Sequence, residues 1–249
     1  MGISATIITL DEEKNITACL ESLDFADEII VVDSGSTDRT REFCERFPAV
    51  RFFQRDWEGF GCQKNLAASL AAHDWIFNID ADERVTPELR AAIMAADRNA
   101  YSAFRVAREN YFGQRWIRHC GWYPDYNTRF YDRQRGSFNE RQVHEAVKSS
   151  GPVGTLSGNL RHFTYGNISD YLRRMDRYST LAAEEIIRSG RRPTVFSLLL
   201  RPIFTFCKMY LLKKGFLEGF YGLLLSALYA IYTFSKYAKA LEMMGGRRQ

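Results

Sequence analysis

The chain has 249 residues, of which 46% are hydrophobic, 26% are charged and 14% are aromatic. This length allows one large domain or a domain with an appendage, and the composition excludes disordered, collagen-like and disulfide-stapled chains. The net charge of +4 is unevenly distributed, because the segment from Tyr171 onward carries 14 Lys and Arg against 5 Asp and Glu.

Strand and helix patterns alternate along the first 80 residues. Short apolar, β-branched runs predict strands that are buried on both faces, and the segments between them predict helices. The predicted strands are 3–10, 28–32, 50–54 and 75–79, and the predicted helices open at 11–15 and cover 39–46 and 63–72. This order predicts an α/β fold with a Rossmann-like, mostly parallel central sheet and flanking helices.

The pattern changes after residue 82. Thr86 and Pro87 predict the start of a helix that runs to about residue 96, and 101–162 predicts irregular strands and loops. Residues 167–189 predict an amphipathic helix. Five scattered cysteines without a C-x-x-C pair indicate reduced thiols, and no secretory signal peptide is expected from the first residues.

The last 55 residues are apolar and basic. Residues 195–212 and 216–241 predict two helices, and their longest uncharged run, Gly219 to Ser235, has 17 residues. Such helices either pack into a protein core or lie in a membrane interface. The excess of Lys and Arg favours the interface of an anionic cytoplasmic leaflet over a core or a true membrane span.

Several familiar motifs are missing from the sequence. There is no G-x-G-x-x-G after the first predicted strand, no G-x-x-x-x-G-K-[ST] and no G-x-S-x-G. Their absence disfavours dinucleotide binding, P-loop chemistry and an α/β-hydrolase.

Acidic residues follow three of the predicted strands. Asp11, Asp33 and the pair Asp80 and Asp82 all belong to the carboxyl edge of one sheet, where open parallel sheets bind ligands. Carboxylates there accept hydrogen bonds from a base or a ribose. Two of them one residue apart can also share a divalent cation that bridges a diphosphate.

Four ordered motifs resemble those of the inverting family 2 glycosyltransferases of GT-A fold. They are residues 7–13 (IITLDEE), 31–38 (VVDSGSTD), 61–65 (GCQKN) and 78–83 (NIDADE). Within that family, residues 139–145 (NERQVHE) and 162–165 (HFTY) resemble the lipopolysaccharide-core β-1,4-glucosyltransferases, which add glucose to an inner-core heptose. We therefore expect a nucleotide-sugar-binding catalytic domain over residues 1–165, followed by a membrane-associating helical region over 166–249.

The resemblance implies roles in binding the donor. Thr9, Asp11 and Asp33 would contact the uridine of a UDP-sugar, with Asp33 on the base or ribose. Lys64 stands where many relatives carry Arg and would lie near the nucleotide, as would Asp80.

The resemblance also implies a metal site. Asp80 and Asp82 would hold Mn²⁺ or Mg²⁺, with Asp82 the more direct ligand and His162 the third. The cation would offset charge on the departing UDP. Arg129 would meet phosphates of the diphosphate or of the acceptor.

An inverting transfer needs a carboxylate that takes the proton from the acceptor hydroxyl. The resemblance implies Glu145 for this role, with Asp125 as a second candidate for base or acceptor contact. His144 would orient Glu145 or be buried beside it.

The expected function is transfer of glucose from UDP-glucose to a lipid-anchored saccharide such as lipopolysaccharide inner-core heptose. The enzyme would be cytoplasmic and peripheral on the inner membrane. Nucleic-acid binding is not expected, because the basic residues lie among apolar helices. Two alternatives stay open: a polyprenyl-phosphate glycosyltransferase similar to dolichol-phosphate-mannose synthase, and a non-catalytic membrane-recruited scaffold that binds nucleotide sugars.

Overall fold

The computed structural model describes residues 2–139 and 145–246. The strands of this part of the chain are β1 (Ile3–Thr9), β2 (Glu28–Asp33), β3 (Val50–Gln54), β4 (Trp75–Asn78), β5 (Glu83–Val85), β6 (Ala103–Phe112), β7 (Arg115–Trp116), β8 (Asp125–Asp132), β9 (Gly136–Phe138), β10 (Val147–Ser149) and β11 (Val153–Tyr165). Its α-helices are α1 (Ile16–Glu21), α2 (Thr40–Cys44), α3 (Phe60–Ser69), α4 (Pro87–Met94), α5 (Ile168–Arg188), α6 (Val195–Cys207) and α7 (Phe220–Gly246).

The large sheet is parallel in one half and antiparallel in the other. Its strand order is β3-β2-β1-β4-β8-β6-β11-β5, and β7 pairs with β6. The pairs β2–β3, β1–β2 and β1–β4 are parallel, whereas β8 runs antiparallel to both β4 and β6. The parallel part confirms the predicted α/β sheet. The antiparallel strands come from the region for which the sequence predicted only irregular strands and loops.

β2 shows why the parallel half was predictable. Every residue of β2 is buried. Ile29 and Val31 point into one hydrophobic cluster with α1 and α4, and Ile30 and Val32 point into a second cluster with α3. A strand covered on both faces by helices must be apolar at consecutive positions, which is the pattern that the sequence displays.

The helices near the site begin at positions set by local bonds. α1 begins at Ile16 rather than in the predicted segment 11–15, because residues of that segment bond to the loop after β2. α4 begins after Thr86, whose hydroxyl accepts from the Leu89 N–H at 3.3 Å, as the predicted N-cap requires.

The chain divides into two units. The first comprises Met1–Arg108 and Asp125–His162, and the second comprises Glu109–Pro124 and Phe163–Gln249. No sequence signal had grouped 109–124 with the C-terminal helices. The domain boundary at residue 165 stays a prediction.

The second unit contains an aromatic-rich cluster, formed by side chains of α5 and α7, by Met209 after α6 and by residues from 112–122. Glu218 is buried there and accepts hydrogen bonds from the backbone N–H groups of Arg118 (3.0 Å) and His119 (3.1 Å). Gly215 and Gly222 approach so closely that a Cβ on Gly222 would overlap the carbonyl oxygen of Gly215. These contacts fix the segment between α6 and α7.

The predicted C-terminal helices are confirmed. α6 continues as a π-helical turn over Lys208–Leu212, and a short 3₁₀ turn over Gly215–Glu218 precedes α7. The stretch Val195–Leu212 is long and apolar enough to cross a membrane, a criterion that some core helices and signal sequences also meet. Only 6% of it is buried, so it is not a core helix of this chain.

All five cysteines are free thiols, as their spacing predicted. Burial raises the pKa of Cys19, Cys44 and Cys120 above the ordinary value for a thiol. These three are therefore packing residues.

Candidate active site

Asp33, the last residue of β2, is a buried carboxylate that shapes the loop after its strand. It accepts hydrogen bonds from the hydroxyl of Thr9 (2.8 Å) and from the backbone N–H groups of Gly35 (2.9 Å) and Ser36 (2.8 Å). Gly35 has a φ of +95°, a conformation that glycine adopts without a steric penalty. Asp33 therefore holds the ends of β1 and β2 together, and both of its oxygens are bonded within the protein.

Asp11 ties the loop after β1 to the same loop after β2. Its backbone N–H donates to Ser36 Oγ (2.8 Å), and its carboxylate accepts from the N–H of Thr37 (2.7 Å). The N–H of Glu13 donates to Asp38 at 2.9 Å. The two loops thus form one hydrogen-bonded surface at the carboxyl ends of the parallel strands, with Asp11 exposed on it.

Asp80 follows β4 at this edge, and a cation contacts each of its oxygens. Lys64 Nζ lies 2.9 Å from Oδ1, and Arg129 Nη2 lies 2.6 Å from Oδ2. Burial opposes ionisation, but the charges and hydrogen bonds of Arg129 and Lys64 outweigh it and hold the pKa of the Asp80 carboxyl well below its usual range. Asp80 is therefore ionised and paired on both sides.

Lys64, on α3, joins Asp80 to the predicted catalytic base. Its side chain is only 3% exposed, and Nζ lies 2.9 Å from Glu145 Oε1 as well as 2.9 Å from Asp80 Oδ1. The ammonium also lies 5.2 Å from the centre of the Phe138 ring, within the range of a cation–π contact. The structure thus brings together three residues that the sequence analysis singled out from separate motifs.

The ion pairs continue from Asp80 to Asp125. Arg129 Nη2 lies 2.7 Å from Glu83 Oε1, Arg108 Nη1 lies 3.5 Å from the same oxygen, and Arg108 Nε donates to Asp125 at 2.9 Å. Acidic and basic groups alternate along this series, which we call the charge chain. Its members are, in order, Glu145, Lys64, Asp80, Arg129, Glu83, Arg108 and Asp125.

Arg129, in the middle of the charge chain, is buried. Burial by itself would lower its pKa, but the carboxylates of Asp80 and Glu83 raise it above the ordinary arginine value. Its other amino group, Nη1, donates to Asn78 Oδ1 at 3.1 Å. The structure therefore directs both amino groups of Arg129 at side chains of the protein, and its contact with phosphates stays a prediction.

Asp82 and His162 face one another beside the charge chain. His162 Nε2 lies 3.4 Å from Asp82 Oδ2, and the two side chains are 14% and 15% exposed. Carboxylate oxygen suits Mg²⁺ and Mn²⁺, and imidazole nitrogen binds first-row transition metals, so the pair fits a divalent cation such as Mn²⁺. Within 2–139 and 145–246, no group of three or more His, Cys, Asp or Glu is placed to hold a metal.

Glu83 and Arg108 were not singled out from the sequence. Glu83 stood in the quoted NIDADE motif, but nothing in the pattern shows that it is fully buried or that it accepts from the backbone N–H of Asp80 (3.0 Å). Arg108 lay in the region of irregular strands. The predicted partner His144 lies outside the described residues.

Three features meet at this edge of the sheet. The loops after β1 and β2 are joined by hydrogen bonds, Glu145 supplies a half-buried carboxylate, and Asp82 and His162 form a partly exposed pair of side chains that can bind a metal. Such an arrangement can bind a nucleotide at the strand ends, bind a cation beside it and accept a proton from a hydroxyl group.

Comparison with known proteins gives a consistent result. Residues 4–162 match the model of the family described as glycosyl transferase family 2. The lipopolysaccharide core biosynthesis glycosyltransferase LpsC of Rhizobium meliloti is 33% identical over 95% of this chain and 92% of its own. An uncharacterized glycosyltransferase of Rickettsia felis is 29% identical over 97% of this chain and 90% of its own.

Two solved structures resemble the fold. The mannosyltransferase PcManGT of Pyrobaculum calidifontis, in complex with GDP-Man and Mn²⁺, gives a TM-score of 0.57 at 17% identity and covers 96% of this chain and 87% of its own. TarS 1–349 of S. aureus, in complex with UDP-GlcNAc, gives a TM-score of 0.53 at 18% identity, and the match covers 99% of this chain and 92% of the TarS chain. At these identities the similarity concerns the fold alone.

Proposed function

Because the chain belongs to glycosyl transferase family 2 and is a glycosyltransferase of GT-A fold, we propose that it moves glucose from a UDP-sugar to a lipid-anchored saccharide of the lipopolysaccharide core, with inversion. The similarity to LpsC, whose name refers to lipopolysaccharide core biosynthesis, supports this class of acceptor. UDP and glucose rest on the resemblance of the sequence motifs.

One observation carries the proposal. Lys64 Nζ lies 2.9 Å from an oxygen of Glu145 and 2.9 Å from an oxygen of Asp80. A carboxylate able to take a proton is thereby held next to the D-x-D motif, which a donor diphosphate would meet at the carboxyl end of β4.

In the proposed reaction, Glu145 accepts the proton of the acceptor hydroxyl as its oxygen attacks C1 of the sugar. The bond from that oxygen to C1 forms while the bond from C1 to the diphosphate breaks, and UDP leaves from the opposite face. Lys64 positions Glu145, and Arg129 positions Asp80. General base catalysis of this kind contributes about 10²–10⁴-fold to a rate.

Asp82 and His162 are the residues that would hold a divalent cation. When bound, such a cation offsets the charge that develops on a departing diphosphate. Asp80 would act near the nucleotide through its fixed, ionised carboxylate, since both of its oxygens are already paired.

We place the enzyme at the cytoplasmic face of the inner membrane, bound peripherally. Apolar side chains of α6 are exposed, among them Phe196 and Ile203, and basic residues such as Arg191, Arg192 and Lys213 flank them. An apolar surface bordered by Lys and Arg suits an interface with anionic lipids.

The test is donor hydrolysis and transfer by the purified chain with a panel of UDP- and GDP-sugars, with Mn²⁺ or with EDTA. Turnover of one UDP-sugar is expected, with loss in EDTA and in Asp82→Asn. Glu145→Gln should lower transfer by about 10²–10⁴-fold. The matched control is Glu58→Gln, an exposed carboxylate on the same unit.

Each contrary result has a distinct meaning. Transfer to a polyprenyl phosphate without a prior sugar would replace the proposed acceptor by that of the dolichol-phosphate-mannose-synthase-like alternative. Full activity of Asp82→Asn would refute the metal site. Nucleotide-sugar binding without any turnover would favour the non-catalytic scaffold, and absence of both would refute the use of a UDP-sugar.

A further inference from the structure

A cavity of about 340 Å³ lies within the second unit, beside the π-helical continuation of α6. Its walls are mostly apolar and aromatic, with two lysines at the margin. The lining residues include Trp122, Phe204, Lys208, Met209, Lys213 and Tyr229. None of them belongs to the charge chain.

The π-helical turn explains why both lysines reach one cavity. Residues five apart in an α-helix point about 140° away from one another, because 3.6 residues complete a turn. Here the N–H of Lys213 donates to the carbonyl oxygen of Lys208 at 2.8 Å, the wider spacing of a π-helix, and both side chains line the cavity. Turns of this type are rare and frequently mark functional sites.

The two ammonium groups have no carboxylate partner among the described residues. Lys208 and Lys213 are exposed, and neither forms an ion pair with a carboxylate of residues 2–139 or 145–246. The buried carboxylate nearest in sequence, Glu218, is already bonded to Arg115 and His119. The margin of the cavity is therefore positive.

Trp122 supplies a second, independent observation. It lines the cavity and is 7% exposed, and its indole Nε1 is buried without a hydrogen-bond partner in the part of the chain that the structure describes. Because Trp122 belongs to the wall, a ligand in the cavity changes the surroundings of this indole, and its N–H signal can report on binding.

The surface next to the cavity is apolar. Five apolar side chains of α6 and its π-helical continuation are more than half exposed there. They are those of Leu200, Ile203, Phe204, Leu211 and Leu212. A ligand that fits all of these features has an anionic oxygen group joined to a hydrocarbon chain.

We propose that this cavity binds the phosphate of an anionic phospholipid, whose chains then lie along the exposed side of α6. The phosphate meets Lys208 and Lys213 at the margin of the cavity, whose wall includes Trp122. This site rests on the proposed attachment to an anionic membrane surface, and it is independent of the residues that perform the transfer.

The experiment is an NMR titration of the ¹⁵N-labelled chain with dihexanoyl phosphatidylglycerol below its micelle concentration. Four tryptophans give four indole N–H signals, and Trp122→Phe identifies the one from Trp122. We expect the chemical shift of that signal to change with lipid concentration and to reach a plateau. Inorganic phosphate and dihexanoyl phosphatidylcholine should shift it far less.

Neighbouring lysines provide the matched comparison. Lys213→Gln should raise the Kd for dihexanoyl phosphatidylglycerol about fivefold or more, as expected for loss of one close cation, while Lys214→Gln, next to it but outside the cavity, should change it less than about twofold. A stationary Trp122 signal, equal shifts with inorganic phosphate, or equal effects of the two variants would each overturn the site.

Donor hydrolysis is measured on the same samples. If Lys213→Gln keeps wild-type hydrolysis while lipid binding is lost, the lipid site stands beside an intact enzyme. If lipid binding holds but no sugar nucleotide is turned over, the proposed enzymatic function fails and the lipid site stands.

Discussion

Replacement of Glu83 by Gln removes one charge from the middle of the charge chain and preserves the shape of the side chain. Glu83 is fully buried, and its two oxygens accept from different donors. Oε2 accepts from the backbone N–H of Asp80 at 3.0 Å, and Oε1 accepts from Arg129 at 2.7 Å. A glutamine has only one acceptor oxygen, so its amide NH₂ must face one of these donors.

The expected loss of stability follows from this geometry. Removing one partner of a buried ion pair costs about 3–5 kcal/mol, because the other charge stays buried and uncompensated. Arg129 keeps its ion pair with Asp80 and glutamine keeps one of the hydrogen bonds, so we expect Glu83→Gln to cost about 3 kcal/mol, at the lower end of this range. This corresponds to about a 150-fold shift in the unfolding equilibrium.

The assay is guanidinium unfolding followed by circular dichroism, with Glu58→Gln as the exposed control. Hydrogen exchange of peptides from residues 75–85 reports on the first unit alone, and it should be faster in Glu83→Gln. A free energy of unfolding within about 0.5 kcal/mol of the control, which is typical of surface substitutions, would refute the reasoning. Unchanged exchange at 75–85 would do the same.

Three further predictions concern the second unit and the thiols. Gly222→Ala should lower the free energy of unfolding by about 1–3 kcal/mol, because its Cβ would overlap the Gly215 carbonyl oxygen. The control is Gly245→Ala, whose Cβ meets nothing within 4 Å and should leave the free energy of unfolding unchanged. Equal melting temperatures of the two variants would contradict this prediction. Hydrogen bonds from His119, Arg118 and Arg115 outweigh burial and lower the pKa of the Glu218 carboxyl, so its stabilisation should be complete above pH about 4.3 and lost on further acidification through the lowered pKa. The stability gap between wild type and Glu218→Gln, measured by unfolding at several pH values, should therefore close in acid. Iodoacetamide labelling of the native protein, followed by mass spectrometry, should modify the half-buried thiols of Cys62 and Cys207 first. The buried thiols of Cys19, Cys44 and Cys120 should react later.

The parallel half of the fold was predictable because its strands are covered on both faces. β1, β2, β3 and β4 each lie within a residue or two of the predicted runs. β8 could not be found in this way, since its sequence DYNTRFYD mixes polar and aromatic residues without a regular period and its partner β4 is distant in the chain. Its burial becomes apparent only after the sheet is assembled.

The site was predictable to the extent that it depends on strand ends. Asp33 and Asp80 were located by the strands before them, and Lys64 and Glu145 by resemblance. Glu83 was not singled out, because a buried charge is recognisable only when its partners are in place. Contact of Asp33 with a nucleotide stays a prediction, since the structure bonds both of its oxygens within the protein.

The hydrogen bonds between the loops after β1 and β2 affect what a motif can prove. Asp11, Asp33 and Asp38 hold backbone N–H groups of the two loops, so the chain needs these residues in order to fold at this edge. A relative that had lost all catalytic power would still be under pressure to keep them. The VVDSGSTD motif is therefore evidence for the fold of this edge of the sheet, and it is not by itself evidence for catalytic activity. If the proposed mechanism holds, the positions that distinguish an active homologue are Asp82 and Glu145, which form none of these hydrogen bonds between the loops.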